Sequence, residues 1–574
     1  MFNGFFLDWD RAGTTHTPRR VRRPSSTHTS AHPTNTRSKH VARHYDAPMS
    51  LLPTNLAFLR IAKRAERQDD DVLHRTFVDF GAVFAAVTSV DHQLIFGRRG
   101  TGKTHLLTVL RQNRLKAGEL AIQIDMRTIG SAGGIYGDPS VPLPQRATRL
   151  LVDVLAAIHG ALLEQAITND GVVDLGKAGP ALDELFDAHT TVRVAGPTTV
   201  EEFASGERTG SGELGITGGW ADKGPLLSAS AKGSEASKEA TSSKRVTTGQ
   251  ESYRVNFGAV GVSMKKIVDT LPGARLWLLI DEWSEVPLDL QPLLADLIRR
   301  AILPVKGATV KIAAIEQRSR LLIVDPAVGH IGIQVGADVT PAINLDDHMV
   351  FDNDEATAVE FFKNLVLKHV QAALSTERIA PPADISALLS AGFTQANAFS
   401  EVVRACEGVP RDAIHILSHA AQKANAETIS VNHVRNAAQQ WYQGSKDAAV
   451  SANERAKELL QWIVDRVIKE RQTKAFLLQA GTKDALIDFL YDERVLHVLR
   501  KGISAKDAPG KRFNVYGIDY GCYVDLINTA RAPQGVLDLG EAAADFAFAV
   551  PRTDFRSIRR CVLDLSDFYG HPTS

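Results

Sequence analysis

Two kinds of apolar spacing alternate along the chain from about residue 90. Compact apolar runs, "LIF" at Leu94–Phe96, "LWLLI" at Leu276–Ile280 and "ATVKIAAI" at Ala308–Ile315, are short and dense enough to predict strands buried on both faces. A second strand is expected near Ala121 to Ile129, and "TPAINLDDHMVF" from Thr340 reads as the last. Between them, "THLLTVLRQNRL" from Thr104 and "DLQPLLADLIRRAIL" from Asp289 repeat apolar residues every three or four positions, as helices with one buried stripe do. Strand and helix in alternation predict an α/β domain built on a parallel sheet.

The pattern then changes twice. Beyond residue 350 it is helical, with two helices in "ACEGVPRDAIHILSHAAQKANAETISVNHVRNAAQQWY" separated by a turn at "AETIS". From Asn453 it runs helix, "KAFLLQ", a helix around Lys483 to Leu490, then "RVLHVLRKGIS" and "KRFNVYGIDYGCYVDLI" as two β segments, an α+β order compatible with a winged helix. Two stretches have neither periodicity. Residues 1–48 are rich in Arg, Ser, Thr, His and Pro and are expected to be a disordered basic tail, a nucleic-acid arm, a targeting signal, or an extension ahead of a true start at Met49. Residues 205–250, dominated by Gly, Ser, Ala and Lys, read as a flexible insertion with a short hairpin around Leu214 to Leu227. The expected division is therefore a tail at 1–48, a core at 49–350, a helical region at 351–448 and a C-terminal domain at 449–574.

Composition narrows the function classes. Lys plus Arg and Asp plus Glu are 66 each, so the formal net charge is zero and any nucleic-acid surface has to be local. Cys406, Cys522 and Cys561 lie too far apart in sequence for a metal spacing or a disulfide framework, which fits a reducing cytoplasm. The most apolar helical stretch, Leu150 to Leu163, carries Asp153 and His159 and reads as a core helix, so no membrane association is expected.

Chemistry concentrates in two places. Gly97-Arg98-Arg99-Gly100-Thr101-Gly102-Lys103-Thr104 fits G-x-x-x-x-G-K-[ST], followed by His105, with a strand before it and a helix after it. In such a loop the glycines let consecutive N–H groups turn around a phosphate, Lys103 reaches the β and γ phosphates, and the Thr104 hydroxyl ligates Mg²⁺. "LLIDEW" supplies the second half. Asp281 is expected at the carboxyl end of a buried strand, where it can hold Mg²⁺, and Glu282 beside it is the candidate general base for an attacking water. After the next strand, Glu316 and Gln317 are both candidates for sensing the γ phosphate. Arg318, Arg320, Arg299 and Arg300 are candidates for an arginine finger toward a neighbouring subunit. Arg411 follows Gly408 and Pro410 at a helix start, where it can reach the phosphates.

In this order, "FGRRGTGKTHLL", "LLIDEW", the strand before Glu316 and the "GVPRDA" segment resemble the AAA+ ATPases. More narrowly, they are similar to bacterial relatives of the origin-recognition-complex initiators over about Leu51 to Tyr442. The resemblance implies a P-loop AAA+ parallel sheet with a helical lid, followed by a winged-helix-like domain. It further implies Mg²⁺-dependent ATP hydrolysis, Arg411 as sensor two, Glu316 or Gln317 as sensor one, and assembly as a homo-oligomer or with a partner ATPase. Duplex DNA is the implied partner of the C-terminal domain, where Arg500, Lys501, Lys506, Lys511 and Arg512 fall on the expected wing. Residues 451–530 nevertheless hold thirteen Lys and Arg against eleven Asp and Glu, a weak field. The rival expectation is a nucleotide-controlled switch in a defence or signalling system, with a C-terminal domain that binds protein.

Overall fold

The computed structural model describes residues 51–570 except 130–133, 169–172, 191, 196–197, 204–241, 248–249, 254, 327–328, 350–354, 472, 505–509 and 529–560. Five apolar segments pair as one sheet: β1 (Gln93–Phe96), β2 (Leu120–Asp125), β3 (Leu276–Asp281), β4 (Ala308–Ala314) and β5 (Thr340–Asn344). Their order is β5-β1-β4-β3-β2, with every neighbouring pair parallel. β1 has β5 on one side and β4 on the other, which makes its carboxyl end the point where strand order reverses and where open α/β sheets bind ligands.

The two faces of the sheet feed two apolar clusters, and side chains alternate between them as the strand period of two requires. Leu276, Leu278 and Ile280 of β3 enter one cluster with α3 (Leu143–Thr168), α4 (Leu175–Thr190) and α5 (Phe257–Thr270). Trp277 and Leu279 enter the other, with α1 (Pro53–Arg60), α2 (Lys103–Lys116) and α6 (Glu355–Thr376). α3 is long and apolar enough to cross a membrane, yet Leu150, Val154, Leu155, Ile158 and Leu162 pack into the core.

Helices α7 (Pro410–Ala424) and α8 (Val431–Trp441) are the pair expected around "AETIS". Beyond them, β6 (Ala475–Gln479), β7 (Leu496–Ser504) and β8 (Arg512–Ile518) form an antiparallel sheet in the order β6-β8-β7, with α9 (Ala485–Asp492) between the first two in sequence. The C-terminal part is thus a mixture of helices and strands. It shares the second apolar cluster, to which Phe476, Ile487, Leu490, Leu496 and Tyr520 all contribute.

Two features were not anticipated from the sequence. An antiparallel pair, Leu322–Asp325 with Gly329–Gly332, stands between β4 and β5. Val192–Ala195 pairs with Gln250–Tyr253, and Thr198–Phe203 with Ser242–Thr247, so a two-stranded ribbon flanks residues 204–241. The hairpin expected at Leu214 to Leu227 lies outside the described residues, as does the 1–48 tail.

Candidate functional site

β1 ends at Phe96 and α2 begins at Lys103, so the chain reverses over six residues. That turn needs left-handed backbone: Gly100 has φ 89° and Gly102, the residue capping α2, φ 96°. At Gly100 the loop passes so close to α7 that an added Cβ would lie 2.7 Å from the Arg411 Cβ. Lys103 is buried, and its ammonium donates to the Gly97 and Arg98 carbonyls at 2.8 and 3.0 Å, an arrangement that fills the hollow of the loop with positive charge. Burial lowers its pKa, opposed by the nearby carboxylates of Glu282 and Asp281.

Asp281 ends β3 and is 1% exposed. Burial and the adjacent Glu282 push its carboxyl up to about 6, while a hydrogen bond from the Thr104 hydroxyl and one from the Glu282 N–H at 2.9 Å draw it down. A hydroxyl and a carboxylate brought together at the mouth of a cationic loop are a hard-oxygen pair suited to Mg²⁺, so these two residues fit the ion. Among the described residues no cluster of three or more His, Cys, Asp or Glu offers a different metal site. Glu282 has a left-handed backbone, φ 52°, uncommon for a non-glycine residue, and caps the tight turn Trp283–Glu285.

The α7 end closes the other side. The Arg411 N–H donates to the Gly100 carbonyl at 3.2 Å, and its side chain, half-buried, makes no ion pair among the described residues. Burial and the cation of Arg494 lower its pKa, which leaves it poised to gain from an incoming anion. A cavity of about 210 Å³ joins these groups: Gly100, Gly102, Lys103, Thr104, His105, Glu282 and Arg411 all line it. Its walls also carry residues that sequence reasoning missed, among them Lys63, Arg64, Glu66, Arg127, Glu285 and His369. Arg127 follows the carboxyl end of β2, a ligand-facing position in such sheets, and pairs with Asp125 at 2.6 Å and Glu66 at 2.9 Å. Glu285 stands two residues past "LLIDEW", and the others come from segments with no motif.

The remaining candidates scatter. Arg98, expected at the phosphate, does not line the cavity. It is 1% exposed and bonds Asp346 at 2.8 Å, the Glu407 carbonyl at 3.1 Å and the His497 ring Nδ1. Arg99 lines the cavity but pairs with Glu285 at 2.9 Å. Glu316 bonds Asn344 at 3.2 Å and Lys501 at 2.6 Å, and Gln317 has a buried Oε1 with no partner among the described residues; neither lines the cavity. Arg299 and Arg300 pair with Asp296, and Arg318 with Asp492, whereas Arg320 is exposed without an ion pair among the described residues. Of the expected wing cations, Arg500, Lys511 and Arg512 are exposed, Lys501 is held by Glu316, and Lys506 lies outside the described residues.

The family model for ORC-CDC6-like proteins matches residues 62–129, which hold the phosphate loop. A search of curated proteins finds no match. Among solved structures, the chain is similar to the Orc1 protein of Aeropyrum pernix in complex with DNA, at 12% identity and a TM-score of 0.32, covering 80% of this chain and 94% of that one. It is also similar to the RuvB Holliday junction branch migration motor of Thermotoga maritima, at 12% identity and 0.29, covering 82% and 98%. A third is Cdc6p of Pyrobaculum aerophilum, at 10% and 0.30, covering 83% and 97%.

Proposed function

We propose that this chain, which resembles the ORC-type AAA+ ATPases, binds ATP with Mg²⁺, hydrolyses it to ADP and phosphate, and uses the cycle on DNA in assembling or remodelling a nucleoprotein complex in the cytoplasm. The convergence of Lys103, Thr104, Glu282 and Arg411 on one cavity, with Asp281 bonded to the Thr104 hydroxyl behind it, supports it. In this reading Lys103 leaves the loop carbonyls for the phosphates, Thr104 and Asp281 hold the metal, and Arg411 answers the γ phosphate from α7. Glu282 takes the proton of the attacking water. The metal, when bound, neutralises charge developing on the phosphates. Residues 49–350 would be the ATPase core, 351–448 the lid and 449–574 a winged-helix-like domain. Its exposed Arg500, Lys511 and Arg512 would meet duplex DNA, and Arg320 is the arginine best placed to serve a neighbouring subunit.

The decisive experiment is nucleotide binding and ATP turnover, with and without duplex DNA. Lys103→Ala is expected to abolish binding, Glu282→Gln to keep binding and lose turnover, and duplex DNA to stimulate the wild type. Wild-type affinity in the first variant, or unimpaired turnover in the second, refutes the site. A turnover rate indifferent to DNA at low salt favours a second reading, a nucleotide-controlled switch whose C-terminal domain binds protein. That reading has its own support, because Asp492, His497 and Lys501 of the C-terminal part bond Arg99 and Arg318, Arg98, and Glu316 of the segment that holds the phosphate-loop sheet.

A further inference from the structure

Glu282 owes its direction to the turn that follows it, so whatever holds that turn sets the base. Three side chains pin it. The buried Trp283 indole N–H donates to Gln291 at 3.2 Å, the Ser284 hydroxyl accepts the Ile315 N–H at 2.7 Å, and Glu285 accepts from Arg99 at 2.9 Å. Only the last ties the turn to the phosphate loop. A second carboxylate backs Arg99: its Nε lies 3.8 Å from Oδ1 of Asp492, the last residue of α9, whose Oδ2 accepts from Arg318 at 2.9 Å. Asp492 is 6% exposed, a charge held out of water between two arginines.

We propose that Arg99 is a brace and not a phosphate ligand: it fixes the Glu282 turn against the phosphate loop, and Asp492 of the C-terminal part fixes Arg99. The guanidinium has already turned Nη2 toward Glu285 and Nε toward Asp492, so these donors are engaged by carboxylates. Arg99 and Asp492 are therefore positioning residues for Glu282, and the seat of α9 reaches the base through two ion pairs. The consequence for turnover rests on Glu282 being the base.

The test uses the full chain and two readouts. Amide exchange at Glu285 and Val286, whose N–H groups close the turn on Glu282 and Trp283, is measured without nucleotide. Turnover and affinity for a fluorescent ATP analogue are measured separately. Arg99→Ala, Glu285→Gln and Asp492→Asn should each speed exchange at the turn and lower kcat by about three- to fivefold, the scale of a part-exposed ion pair, with ATP affinity within about threefold of wild type. The double variant of Arg99 and Glu285 should lose no more than either single one, and Arg99→Lys should recover part of kcat. A loss of ATP affinity beyond about tenfold in Arg99→Ala with Glu285→Gln silent makes Arg99 a phosphate ligand and overturns the proposal, as does unchanged exchange in Glu285→Gln. If the wild type turns over no ATP, exchange alone decides the brace, and it is the hydrolysis reading that falls. Should Arg99→Ala fail to fold, Glu285→Gln decides.

Discussion

At the scale of single residues, burial changes Asp281 more than its sequence neighbours suggest. A carboxyl raised to about 6 is partly protonated just where the proposed Mg²⁺ would need it ionised. Its folded pKa lies above the ordinary carboxylate value, so the metal-free fold gains stability as pH falls through 6, while the proposed Mg²⁺ would compete with a proton for the same oxygens. Mg²⁺-dependent nucleotide binding is accordingly expected to weaken by about fourfold between pH 7.5 and 5.5, the ratio of ionised fractions for such a group. Titration calorimetry at both values checks it, and a flat profile would place the metal elsewhere. Lys311 shows the same principle in the core. It is a charge inside β4 that drops to about 7 on burial, and it is accommodated because the Ser89 and Asp91 carbonyls accept from it at 2.8 Å.

At the scale of elements, the close pass of the phosphate loop over the first turn of α7 is the contact on which the cavity depends. Gly100→Ala meets two obstacles at once, a left-handed φ and the Arg411 and Val409 side chains within 2.7 and 3.1 Å. It should cost about 1–3 kcal/mol and weaken nucleotide binding by displacing α7; thermal unfolding and ATP titration report the two effects separately. Arg411→Ala removes only the cation, and should leave the melting temperature near wild type while turnover or nucleotide-dependent assembly falls. Unchanged turnover and assembly would return Arg411 to an ordinary surface role. The strands and helices around this contact were legible because apolar runs and the phosphate-loop spacing are local signals. The Leu322–Gly332 pair and the ribbon around residues 204–241 were not, since strands of four to six residues are too short to carry a clear period-two signal.

At the scale of the whole molecule, a buried chain of charges crosses the interior from the phosphate loop to the C-terminal part. The Arg98 guanidinium donates to His497 Nδ1, His497 donates from Nε2 to Asp519 at 3.0 Å, and Lys446 bridges Asp519 at 2.5 Å and Asp412 at 2.9 Å, with Arg494 closing on Asp412 at 3.3 Å. Burial and the Arg98 cation push His497 down to about 4, so the ring is neutral at pH 7 and its two nitrogens are fixed as acceptor and donor. Lys446→Met leaves Asp412 and Asp519 facing each other without their shared cation. It should destabilise the chain by about 3–5 kcal/mol, read as a lowered urea midpoint. A loss under about 1 kcal/mol would mean that the network relaxes freely.

By itself the sequence determined the alternation of strands and helices, the phosphate loop and the Asp281–Glu282 pair, because each depends on residues adjacent in the chain and on periods of two or 3.6. It also pointed to Arg411, through a proline at a helix start. Only the tertiary structure decided what the two loop arginines do, since the partners of Arg98 and Arg99, Asp346, His497, Glu285 and Asp492, stand up to 399 residues away. The same holds for Lys501, a wing cation by sequence that the fold pairs with Glu316. A charged side chain advertises only its charge; which opposite charge desolvates with it is settled when the packed core brings distant segments together.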